Sequence, residues 1–107
     1  MENKKHYHFR KVWVVMPTHN FNNLKEFTQD ICFIATGYEE VSDLSAIVLN
    51  SLKDFDPNQD ALVCVGKVNT VFVTGRIVQQ IAGDRPVWIG VYNKEDGDLG
   101  NYQWVQL

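Results

Sequence analysis

Apolar residues along this chain come in short unbroken runs, separated by stretches in which they recur every three or four positions. Lys11 to Met16, KVWVVM, is such a run, closed by Pro17, and an unbroken run fits a strand covered on both faces. Asn22 and Asn23 then offer caps for a short helix through Leu24, Lys25, Glu26 and Phe27, with Leu24 and Phe27 on its inner side. The chain turns apolar again in DICFIAT, a second strand that stops at Gly37. Thr36 to Glu39 has the form of a capping box, in which hydroxyl and carboxylate satisfy backbone amides reciprocally. Val41, Leu44, Val48, Leu52 and Phe55 follow on one helical stripe, with Ser42 as a competing start, and Asp56-Pro57-Asn58 ends the helix.

A third strand covers Ala61 to Val65. Beyond Gly66 the segment TVFVT, Thr70 to Thr74, is β-branched and could pair back as a hairpin. A helix is better supported: Asn69 or Thr70 can cap it, Val73, Ile77 and Ile81 lie four apart, and Gly83 followed by Pro86 stops it. PVWIGVY and YQWVQL read as two closing strands, and Asp96-Gly97 in the polar loop between them is a hairpin signal. The order β-α-β-α-β-α-β-β predicts a single α/β domain of two or three layers over residues 11 to 107. Its sheet has about five strands, mostly parallel through right-handed crossovers, with a C-terminal antiparallel hairpin. Residues 1 to 10 precede it as a basic arm.

Composition adds bounds. With 107 residues, 45% hydrophobic and 21% charged, there is room for one ordinary globular core and little case for disorder. No apolar run is long enough for a membrane span, and MENKKHYHFRK lacks the apolar core of a secretory signal, so the cytoplasm is the expected address and no membrane partner is expected. Cys32 and Cys64 each fall in a strand predicted to be buried, where a thiol serves as a small hydrophobe. No Cys and His spacing suits zinc, including His6 and His8 of the arm. The net charge of -3 conceals four cations, Lys4, Lys5, Arg10 and Lys11, against Glu2 in the first eleven residues, so the remainder carries -6. Such a body repels nucleic acid, the arm alone excepted.

Gly66-Lys67 after an apolar strand invites comparison with a phosphate loop. Ala61 stands where such a loop needs its first glycine and Val68 where it needs a hydroxyl, and no dinucleotide fingerprint occurs elsewhere. Position still matters, because the strand ends leading into helices share one edge of a parallel sheet, where ligands of open α/β sheets bind. Three such ends carry polar groups: Thr18, His19 and Asn20; Thr36, Gly37 and Tyr38; and Gly66, Lys67, Asn69 and Thr70. They predict a crevice for an anionic, nucleotide-like ligand. No catalytic set, metal or cofactor is expected. Were there catalysis, of a weak phosphodiesterase kind, His19 would be its general acid or base and Lys67 its electrostatic partner.

Strand alternation places Trp88 and Tyr92 on one face, with Tyr102 and Trp104 on the same face of the last strand. These aromatics predict an association surface, for a target protein or a second copy in a homodimer, unless the short helix or the N-terminal arm folds over them.

The strand ending in PTHN, the stretch LKDFDPNQD, the strand DALVCVG, the helix running to GDRP and the hairpin VWIGVYNKEDGDLGNYQWVQL together resemble small α/β accessory proteins encoded by tailed bacteriophages. The resemblance spans residues 11 to 107, and its most telling stretch is F-D-P-x-x-D before an apolar strand ending in glycine. It implies a phage accessory protein in the host cytoplasm, and the function expected first is non-catalytic: binding a host or phage protein and interfering with a host process such as defence. It supplies no catalytic residues.

Overall fold

Five strands form one sheet in the order β2-β1-β3-β4-β5, with β1 (Val12–Val14), β2 (Ile31–Phe33), β3 (Ala61–Val63), β4 (Trp88–Asn93) and β5 (Asn101–Gln106). The first four are parallel, and β5 returns antiparallel to β4 at the edge. These contacts are seen in a computed structural model that describes residues 7 to 93 and 101 to 107. Lys4, Lys5 and His6 of the basic arm and the Asp96-Gly97 hairpin signal lie outside the described residues. The expected α/β domain, with its mostly parallel sheet and C-terminal hairpin, is the observed architecture.

The alternation of β1 explains why the sheet is covered twice. Trp13 and Val15 point to one face, where helices α1 (Leu44–Ser51) and α2 (Val68–Ala82) bury Leu44, Val48, Ile77, Val78 and Ala82 against them. Val12 and Val14 point to the other, where Phe9, Phe21, Leu24, Phe27, Tyr102 and Trp104 make a second core. Among the described residues no long helix covers that second face; a short 3-10 helix, Asn22–Glu26, and the chain at Tyr7 to Phe9 do so instead.

Several local expectations are revised. The first helix is 3-10, and neither Asn22 nor Asn23 caps it: the Asn20 side-chain oxygen accepts the Asn22 N–H at 2.9 Å. The Thr36 to Glu39 box forms a turn without starting a helix, because Glu40 is extended (ψ 140°) and α1 begins only after the 3-10 turn Val41–Asp43. Val41 is consequently exposed, and α1 ends at Ser51, leaving Leu52 and Phe55 buried in the turns beyond. TVFVT is helical, as the spacing favoured. Its cap differs from either candidate, since Lys67 holds the N-cap position without a side-chain cap and Thr70 is buried in the first turn. Gly83, at φ +63°, ends α2 as expected. The cysteines are less buried than predicted: Cys32 is partly exposed on the edge strand β2, and Cys64 is exposed just past the end of β3.

Candidate functional site

The C-terminal ends of β1, β2 and β3 do share one edge, but among the described residues the loop after β2 does not line the crevice that the ends of β1 and β3 form. The loop after β1 turns toward the 3-10 face. Those after β2 and β3 lean together on the helix face, over the side chain of Met16. A Cβ on Gly37 would stand 2.5 Å from the Met16 methyl, and one on Gly66 would stand 2.4 Å from its sulfur. Both glycines have positive φ, 98° and 126°, so close approach and backbone shape each require them. The Lys67 backbone N–H donates to the Met16 sulfur at 3.2 Å, and its ammonium donates to the Gly37 carbonyl at 2.6 Å.

Glu39 completes this half of the edge. Its carboxylate accepts the Thr36 N–H, the Thr36 hydroxyl and the Gly37 N–H at 2.7 to 2.8 Å. Those bonds, led by the Thr36 amide, hold its pKa down at about 2. Thr36, Gly37, Gly66 and Lys67 are thus brought together, with Glu39 joining Thr36 to Gly37 and Lys67 bonded to Gly37. Tyr38 and Asn69 stay exposed, and Thr70 is buried, its carbonyl accepting from the Thr74 hydroxyl.

On the other side of the sheet the ends of β1 and β3 open a crevice of about 440 Å³. His19 and Asn20 line it, as predicted, together with Phe21, Asn23, Val65, Tyr92 and Tyr102. Thr18 stands behind, its hydroxyl 2.7 Å from His19 Nδ1. Phe21, Asn23 and Val65 were missed. Val65 had a readable signal as the last apolar residue before Gly66, whereas nothing in the sequence shows on which side of the sheet Phe21 falls. Among the described residues, no Lys, Arg, Asp or Glu lines this crevice.

The four aromatics expected at an association surface are differently placed. Trp104 is buried beneath Phe9 and Phe27, at ring-centroid distances of 4.7 and 5.2 Å, and its indole covers Gly90, where a Cβ would stand 2.6 Å away. Tyr7 and Phe9 lie over the half-buried Trp88, Tyr102 is buried, and Tyr92 is exposed. The alternative in which the arm and the short helix fold over these rings therefore describes Trp88 and Trp104. Among the described residues, Trp104 Nε1 is buried without a hydrogen-bond partner.

The F-D-P-x-x-D stretch builds structure at the opposite, N-terminal edge of the sheet. Asp60 is fully buried and accepts Arg10 Nε and Nη2 at 2.9 and 2.7 Å, Trp13 Nε1 at 2.9 Å and the Asp56 N–H at 2.9 Å. Asp56 accepts the Asn58 N–H and the Gln59 amide, closing the turn. Lys11 bridges Asp54 at 2.6 Å and Asp30 at 3.7 Å. The hydrogen bond from Lys11, with the Arg10 charge beside it, lowers the Asp54 pKa.

A third surface lies outside the predicted residues. Leu49 on α1 and Phe72 on α2 flank a groove between the two helices, with the Arg76 guanidinium 6.0 Å from the Phe72 ring centroid. Val68, one turn before Phe72, is 82% exposed, and Tyr38, next to the Gly37 that bonds Lys67, is 92% exposed. Among the described residues, no helix is long and apolar enough to cross a membrane and no cluster of three or more candidate metal ligands occurs. No protein-family model, curated protein or solved structure matches this chain.

Proposed function

We propose that this protein is a non-catalytic binding module that captures a protein partner on the outer face of α1 and α2. The observation that carries the reading is the apolar surface there: Leu49 is 54% exposed and Phe72 63%, on either side of one groove, and the exposed Val68 stands one turn before Phe72 on α2. Apolar side chains grouped on a face polar at its edges are what a protein interface uses. The groove lies between two helices, so the fitting occupant is an amphipathic helix that seats apolar side chains against Leu49 and Phe72 and turns a carboxylate to Arg76. The resemblance to phage accessory proteins supports a host or phage protein as that partner, the host cytoplasm as the place, and interference with a host process such as defence as the use.

The test compares the natural sequence with Phe72→Glu as baits in a lysate of a bacterial host. A protein retained by the first and lost from the second, with the melting midpoint unchanged, supports the reading. Capture equal in both, or none in either, overturns it. Self-association that Phe72→Glu abolishes would assign the face to a second copy instead.

A further inference from the structure

We propose that the crevice at the ends of β1 and β3 is a binding site for an uncharged planar heterocycle of nucleobase type, with the ring as the recognised group. The topology puts it in a favourable place. From β1 the chain crosses to β2 on the 3-10 face and from β2 to β3 on the helix face, so the strand order reverses between β1 and β3. In open parallel sheets such a switch point leaves a gap between diverging loops at the carboxyl ends of the strands. Here the gap is open, at about 440 Å³, within the range of small-molecule sites.

Its walls determine the ligand class. Phe21, Tyr92 and Tyr102 present ring surface, and the two tyrosine rings stand 5.2 Å apart at an interplanar angle of 59°. Aromatic walls favour a flat π-system, which stacks at small entropic cost. The polar groups can read its edge. The Asn20 oxygen is engaged by the Asn22 N–H, which leaves its NH₂ as a donor. The Asn23 amide has no partner among the described residues and can donate and accept side by side, which matches the adjacent donor and acceptor on the edge of a base. With the Thr18 hydroxyl on Nδ1, His19 offers Nε2. Among the described residues the lining holds no Lys, Arg, Asp or Glu, which favours a neutral ring as the group recognised. Among the described residues, Lys67 on this edge is bonded to the Gly37 carbonyl on the other side of the sheet.

This proposal is independent of the α1 and α2 face and is tested without it. Adenosine, inosine, cytidine and uridine, and then their 5′-monophosphates, are each titrated to about 5 mM, well above the Kd of a weak specific complex. Binding is followed in amide NMR spectra. The expected result is saturable shifts at residues 18 to 23, 65 and 102 with at least one nucleoside. Asn23→Ala and Tyr92→Ala, both at exposed positions, should each weaken that binding by about tenfold with unchanged melting midpoints. The proposal is overturned if no nucleoside shifts these amides, if the shifts fall at Gly37 and Lys67 instead, or if both variants bind at full strength. A monophosphate binding more than about tenfold tighter than its nucleoside would also overturn it, because the phosphate would then be the recognised group.

Discussion

Asp60 has no exposed surface, and each of its bonds comes from a group that needs it: a guanidinium, an indole and a backbone amide. Removing Asp60 leaves the Trp13 Nε1–H and the Asp56 N–H without their acceptor while Arg10 keeps Asp54 and water, so Asp60→Ala should lose about 1 to 3 kcal/mol of stability, read as a fall in the urea midpoint. Asp60→Asn, which keeps an acceptor for Trp13 or the Asp56 amide, should fall between the two. A loss near zero for Asp60→Ala would mean that the chain does not depend on this hub. Glu39 makes the opposite kind of contribution, one that pH can switch. Its folded pKa of about 2 lies below the ordinary 4.5, so its bonds stabilise the fold fully above pH 4.5 and are lost as pH falls from 4.5 through 2. Glu39→Gln should therefore be less stable than the natural sequence at neutral pH, and the gap should close over that window. A gap that persists unchanged at pH 2 would show that the charge is not what matters.

At the scale of elements, legibility followed the length of the pattern. α2 runs for fifteen residues with its apolar positions in phase and a glycine at its end, so spacing outweighed the β-branched TVFVT within it. α1 is only eight residues long, and its stripe continued past both ends into turns that bury or expose side chains without being helical. The site was legible to the edge of the sheet and no further. Strand and helix alternation puts three loops on that edge, but the face to which each side chain turns depends on crossovers that periodicity does not record. Two glycines in regular elements give a paired test. Gly75 lies inside α2, and a Cβ there would meet nothing within 4 Å, so Gly75→Ala should stabilise by about 0.5 to 1 kcal/mol. Gly90 pairs with Trp104 across β4 and β5, and a Cβ there meets the indole at 2.6 Å, so Gly90→Ala should cost about 1 to 3 kcal/mol. Thermal midpoints check both, and a shift of the same sign in the two variants would contradict the packing described.

For the molecule as a whole, the two faces of the sheet are covered by different means. Two helices cover one, whereas the other depends on a 3-10 turn and on chain drawn in by hydrogen bonds from Phe9 N–H to the Phe27 carbonyl and from Arg10 N–H to the Gln59 carbonyl. That division leaves room for the crevice on the lightly covered face and for the exposed apolar groove on the helical one. Between them, at the edge where the strands end, sits Met16, 7% exposed, beneath two turns that have no space for even one added carbon. An oxidant is expected to reach its sulfur chiefly when those turns lift, and the larger, more polar sulfoxide should then hinder their return. Met16 should therefore report on the breathing of this edge: dilute peroxide, which reacts slowly, is expected to convert it at a rate proportional to the fraction of molecules in which the Gly37 and Gly66 turns stand apart.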